Sequence, residues 1–203
     1  MNEIVLSVIH EVKNRLAELA FRLEQKEGMR AEMEVAMSAS RRLSEILMLE
    51  RDRENALWVN PDSVNPADFL SVLAGEYAAL HPALSIRFEA GGAPEIAFFD
   101  ENMVRTALGN ALHDACLHAK SAVRLAAFEQ EGMLVLEVRD DGPGYPEEVL
   151  ERGGAYPSAM KGKGTGLGLY LAARIATLHK VGAQCGRIEL ANAEGARFRM
   201  LLP

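Results

Sequence analysis

Apolar positions keep a helical rhythm through the first part of the chain and mostly a strand rhythm after it. Ile9, Val12, Leu16, Leu19 and Leu23 step by three and four residues, and so do Met33, Ala36, Ser40, Leu43 and Leu47. That spacing gathers each set on one face of a helix. Gly28 interrupts the pattern, so residues 27–29 are expected to form a tight connection between two helices. A pair of such helices cannot bury both seams alone, and two copies joined in a dimeric four-helix bundle is the expected solution. Asn60-Pro61 and Asn65-Pro66 then disfavour helix and mark a linker. The boundary falls there, between a hairpin over residues 1–58 and a second domain over residues 66–203.

In the second domain the rhythm alternates. Residues 66–80 and 100–118 read as helices, and residues 85–90 and 95–99 as strands. Residues 123–128 and 133–139 form a strand pair around a Gln130-Glu131-Gly132 turn. An apolar helix over 167–178 precedes a closing hairpin, 187–190 and 196–202, turning at 193–195. Helices mixed with hairpin-linked strands predict an α+β sandwich, with the helices on one face of a mixed sheet.

Composition narrows the function more than the fold. The formal net charge of −7 argues against a nucleic-acid surface, which needs clustered Lys and Arg. Cys116 and Cys185 have no metal-ligand spacing and read as ordinary thiols of a reducing compartment. No apolar run is long enough to span a bilayer and no leader pattern opens the chain, so a cytoplasmic protein is expected. A sensor or membrane segment would lie outside this sequence.

Two glycine-rich stretches carry the chemistry. Asp140-Asp141-Gly142-Pro143-Gly144 follows a strand. A carboxylate there can accept a hydrogen bond from an exocyclic amine, and the glycines let the backbone pass close to a flat ring. About twenty residues on, Gly162-Lys163-Gly164-Thr165-Gly166-Leu167-Gly168-Leu169 opens into a helix. Backbone N–H groups and the positive helix N-terminus suit phosphate oxygens. The run follows a polar loop, so it is not a Rossmann fingerprint, and Gly164 stands where a P-loop needs Ser or Thr. The two stretches together, in this order, point to nucleotide binding.

These stretches resemble the G1 and G2 boxes of the GHKL ATPase superfamily, specifically its histidine kinase branch. The resemblance implies a Bergerat-type ATP-binding domain over 66–203, with cofactor contacts from Asp140, Gly142, Gly144, Gly164, Thr165, Gly166, Leu167 and Gly168. It also implies an N box on the helix over 100–118. Asn110 fits its first asparagine, and Asp114 takes the place of the second, one turn on. Asn110 and Asp114 would then be the Mg²⁺ and phosphate ligands, since a carboxylate is a suitable hard donor. Leu117 replaces the family's lysine, and the ATP lid, residues 145–161, is short.

Ile9-His10-Glu11-Val12-Lys13-Asn14-Arg15-Leu16 resembles the H box of the same branch, without its usual proline. The resemblance makes His10 the phosphoacceptor. Glu11 would hold the imidazole tautomer and take its proton. Asn14 would orient a water for dephosphorylating a partner regulator. The implied activity is transfer of the ATP γ-phosphate to His10 and onward to a response-regulator aspartate, by a homodimer joined through residues 1–58. Two alternatives stay open. One is a histidine phosphotransfer or scaffold protein with a non-catalytic GHKL domain. The other is a GHKL serine kinase or ATPase.

Overall fold

The computed structural model describes residues 3–24, 26, 28–155 and 166–203. The chain divides into two compact units, Met1–Leu57 and Trp58–Pro203. No helix among the described residues is long and apolar enough to cross a membrane.

The first unit is a hairpin of α1 (Glu3–Glu24) and α2 (Arg30–Arg53). Exposed Glu11–Arg15 and Glu18–Arg22 pairs, each four residues apart, support the outer surface of α1. The inward face of α1 differs in part from the expected seam. Ala20 is buried and Ile9, Lys13, Leu16 and Leu23 are half-buried, whereas Val12 and Leu19 remain 42% and 46% exposed. The reason is geometric. One facing helix covers a narrow strip, so the face steps 9, 13, 16, 20, 23, and Val12 and Leu19 fall on its flank. On α2, Met33, Ala36 and Leu47 are buried and Ser40 and Leu43 half-buried, as the spacing predicts. The Ser40 hydroxyl donates to the Lys13 carbonyl at 3.4 Å.

The second unit opens with β1 (Asp62–Val64), inside the stretch read as linker. Asn65 and Pro66 then start α3 (Pro66–Leu80) rather than merely breaking structure. Asn65 Oδ1 accepts from the backbone N–H of Ala67 and Asp68, and Pro66 takes the first helical position, where no N–H is needed. There follow β2 (Ser85–Gly92), β3 (Ala97–Phe99), α4 (Glu101–His118), β4 (Ala122–Gln130) and β5 (Met133–Asp140). A short α5 (Glu147–Arg152), not foreseen from the sequence, lies in the expected lid. The chain closes with α6 (Leu167–Leu178), the two-residue strands β6 (Lys180–Val181) and β7 (Gln184–Cys185), β8 (Arg187–Asn192) and β9 (Ala196–Leu202).

Five strands form one sheet in the order β2-β4-β5-β9-β8, with β2 parallel to β4 and the other pairs antiparallel. α3 packs on β4, α4 on β5, and α6 on β8 and β9. Alternate residues face these helices: Val123, Leu125, Leu136, Val138, Phe198 and Met200 are each 2% exposed or less. They meet Leu70, Leu73, Val104, Leu108, Leu112, Leu171 and Ile175, all equally buried. This is the α+β sandwich expected, with its helices on one face. Burying each such side chain contributes about 1.5–3 kcal/mol, so this layer holds the unit together.

Two polar contacts fix the helices above the sheet. The Tyr77 hydroxyl of α3 donates to the Gly109 carbonyl of α4 at 2.7 Å. His179, buried just past α6, accepts from the Asp100 N–H at Nε2, 3.0 Å away, and its Nδ1 lies 2.8 Å from the Ile175 carbonyl. Both contacts are made at once by the neutral ring with its proton on Nδ1.

Candidate functional site

β5 runs into the site and ends at Asp140, which is buried. Its Oδ1 accepts from the N–H of Gly142 at 2.7 Å and of Ala196 at 3.2 Å. Among the described residues both hydrogen bonds to this carboxylate fall on Oδ1, which leaves Oδ2 for a ligand donor. The turn after Asp140 needs its glycines. A Cβ on Gly142 would lie 2.4 Å from the His118 carbonyl oxygen, at the end of α4. Gly144 has φ +84°, and its Cβ would lie 2.6 Å from Asn192 Oδ1.

The neighbouring carboxylate does a different job. Asp141 accepts from the backbone N–H of Lys120 and Ser121 and from the Ser121 hydroxyl, the last at 2.6 Å. The Ser121 hydroxyl above all, then these backbone donors, hold its carboxyl well below the usual carboxylate range. It straps the end of β5 to the α4–β4 connection.

α4 supplies the second wall. Asn110 is 7% exposed, and neither its Oδ1 nor its Nδ2 finds a partner among the described residues. A buried amide left so is rare, because desolvation costs about 1–3 kcal/mol per unmatched group. Asp114, one turn on, is exposed. Tyr145, directly after the glycine turn, has its phenol pushed above the ordinary tyrosine range, first by burial and then by the charges of Asp114 and Asp140. Leu117 is 57% exposed.

The third wall is the start of α6. Gly166 sits at φ +67°, and among the described residues no side chain caps α6 there; a helix N-terminus of this kind is positively polarised and suits an anion. Gly166, Leu167 and Gly168 are half-buried at this N-terminus. Gly164 and Thr165 lie outside the described residues, as do Lys163 and residues 156–161 of the expected lid. Among the described residues no cluster of three His, Cys, Asp or Glu side chains could hold a metal. A cation here would depend on Asn110, Asp114 and the oxygens of its ligand.

The sequence reading missed the support behind the site. Asn192 grips the turn from both sides: its Oδ1 accepts from the Tyr145 N–H at 2.7 Å, and its Nδ2 donates to the Tyr145 carbonyl at 2.9 Å. Arg139 Nη2 donates to the Ala193 carbonyl at 3.1 Å. Gly195 has no room for a side chain, since its Cβ would lie 2.0 Å from the Asp140 carbonyl oxygen. The signal present was the Asn-Ala-Glu-Gly turn, read only as a hairpin tip.

The H-box residues lie on α1 of the first unit. His10 is half-buried and makes no hydrogen bond or ion pair among the described residues. Glu11 is not held by the imidazole; its Oε1 pairs with Arg15 Nη2 at 2.5 Å. Asn14 is exposed one turn beyond His10.

A family profile described as histidine kinase-, DNA gyrase B- and HSP90-like ATPase matches residues 99–203. The sensor protein kinase CarS of Pseudomonas aeruginosa is 37% identical over 108 residues, which are 51% of this chain and 24% of that protein. The sensor protein kinase PmrB of the same species is 32% identical over 188 residues, 84% of this chain and 39% of its own length. The signal transduction histidine-protein kinase AfsQ2 of Streptomyces coelicolor is 30% identical over 180 residues, covering 83% and 32%. The chain thus spans between about a quarter and two-fifths of these relatives. In fold it resembles full-length ShkA in complex with AMPPNP, with TM-score 0.71 and 19% identity over all of this chain and 46% of that one. It also resembles the Acinetobacter baumannii histidine kinase AdeS, with TM-score 0.65 and 14% identity over 97% of this chain and 95% of that one. The profile covers more than half of the sequence, and the chain belongs to the histidine kinase-, DNA gyrase B- and HSP90-like ATPase family.

Proposed function

We propose that the chain is a histidine kinase core that binds ATP in the second unit and passes its γ-phosphoryl group to His10. The observation that carries the nucleotide half is Asn110. Its amide is buried with donor and acceptor both unmatched, on the helix face that includes Asp114, and a ligand would satisfy it. Asp140 Oδ2 would accept from the adenine amine. Gly142 and Gly144 would admit the ring, and the N-terminus of α6 at Gly166, Leu167 and Gly168, with Gly164 and Thr165 before it, would take the phosphates. Asn110 and Asp114 would hold Mg²⁺. Bound there, the ion would neutralise charge developing on the phosphates.

In the transfer, a ring nitrogen of His10 forms the P–N bond as the bond to the ADP oxygen breaks, and the imidazole N–H proton is lost. Glu11 could take that proton after parting from Arg15, an exposed contact that costs little to break. A response-regulator aspartate would accept the phosphoryl group, with Asn14 orienting water for the reverse task. A second copy would dock on the hairpin, as the exposed apolar flank at Val12 and Leu19 suggests.

Leu117 and the engaged Glu11 favour a second reading, a phosphotransfer or scaffold protein with a silent nucleotide domain. Incubation with ATP labelled on the γ-phosphate separates the two. Expected is an acid-labile, alkali-stable label on the chain, absent in His10→Ala. Asn110→Ala should weaken nucleotide binding about tenfold or more by calorimetry, the effect of losing a charge-assisted hydrogen bond. Asp114→Asn should keep or improve it. No label together with no nucleotide binding would leave the phosphotransfer reading. Acid-stable label on an added partner would point to a serine kinase.

A further inference from the structure

The outer face of the five-stranded sheet, turned away from α3, α4 and α6, carries a line of arginines. In the strand register Arg87 stands opposite Arg124, Arg124 opposite Arg139, and Arg139 opposite Arg197. One arginine from each of four adjacent strands therefore falls on one row. Burial fixes the side: Val123, Leu125 and Val138 point to the helices, and their strand neighbours Arg124 and Arg139 have the opposite parity. Neighbouring strands lie about 4.8 Å apart, so the row spans roughly 14 Å. Like charges set directly opposite destabilise a sheet, so such a row calls for a neutralising partner.

Carboxylates on the same face do not fully supply one. Glu137 is committed to Arg199 at 2.6 Å, and Glu189 to Arg187 at 3.0 Å. Glu89 comes within only 3.8 Å of Arg124, and both are well exposed, so that contact is weak. Asp141 is taken by Ser121 and the Lys120 N–H. Arg87 and Arg197 have no ion pair among the described residues. At the β2–β5 end of the row lies a cavity of about 340 Å³ lined by Arg87, Arg124 and Arg139, with Ser85, Asp141 and Glu194 at its edges. Asp140 also lines it, but its alternation along β5 turns the side chain to the helix layer. Three arginines thus line it beside Glu194, which has no ion pair among the described residues, and of the three Arg139 also donates to the Ala193 carbonyl at 3.1 Å.

We propose that this row and cavity bind a small oligophosphate-bearing anion, at a site on the opposite face of β5 from the Asp140 carboxylate. A guanidinium fork offers two parallel N–H donors to a phosphate, and here the forks repeat along one line. The cavity is of small-ligand size, which favours a compact anion over an extended acidic segment of a partner. The proposal does not rest on the nucleotide reading: Arg87 and Arg124, on which its test turns, lie outside that site, while Arg139 also supports it through the Ala193 carbonyl.

Inorganic tripolyphosphate is the probe, titrated calorimetrically into the full chain in the presence of saturating ADP at low salt. Expected is one saturable site whose affinity falls with added salt. Arg87→Gln and Arg124→Gln, both at exposed positions, should each weaken it about tenfold, with no loss of thermal stability. No saturable heat overturns the proposal, as does binding that survives the double replacement. Binding abolished by Asn110→Ala alone would place the anion in the nucleotide site and overturn it equally. A hexaglutamate peptide that binds as tightly, with the same arginine dependence, would overturn the phosphate assignment in favour of an acidic protein segment. Should ADP itself not bind, the nucleotide reading fails while the arginine variants still decide this one.

Discussion

A methyl group at Gly195 would meet the Asp140 carbonyl, which is backbone and cannot swing away. Gly91, by contrast, has nothing within 4 Å of where its Cβ would stand. Gly195→Ala should therefore lower stability on the order of 1–3 kcal/mol, as overpacking does, while Gly91→Ala stays close to the parent. Urea midpoints of the two variants test this, and equal midpoints would refute it. The pair also shows what was legible. Asp140, Gly142 and Gly144 announce themselves because they are neighbours in sequence with a shared chemical task. Gly195 and Asn192 do not, because they reach the same turn from a hairpin some fifty residues on, through strand registers that no local pattern encodes.

At the scale of elements, Asp141 joins the end of β5 to the connection between α4 and β4. Its folded carboxyl titrates below the unfolded value of about 3.9, so the strap stabilises fully above that pH and is lost as pH falls through the folded value. Asp141→Asn should lower the urea midpoint at neutral pH. The gap to the parent should narrow as pH drops from about 4 toward about 2, and a gap that widens there would contradict the assignment. Element positions were largely readable, since α3 and α6 are apolar stretches of helical length and β9 follows a hairpin turn. β1, α5 and the two-residue β6 and β7 were not. They are too short to show a period and exist through their partners, as β1 does by pairing with β3. The inner face of α1 was half-readable, because an apolar heptad does not tell which of its residues serve the hairpin and which serve a second copy.

The whole chain presents an apolar flank that a single hairpin leaves open. Val8, Val12 and Leu19 on α1 and Val35 and Ile46 on α2 are between 37% and 70% exposed. At about 100° per residue and with the helices antiparallel, both sets fall on the same side of the hairpin, and His10 falls on the other. Docking a second copy there would bury the flank and leave the histidine reachable. Val12→Glu with Leu19→Glu should thus yield a monomer by sedimentation at micromolar concentration, with the unfolding of the second unit unchanged. A dimer that persists would refute this surface. The ring of His179 also sets how the two helices beside the site are held. It ties the close of α6 to the opening of α4, and the two helices pack on each other and on the sheet. Asn110 and Gly166 lie further along the same helices. A change that unseats the ring should therefore be felt as altered grip on a ligand before it is felt as lost fold.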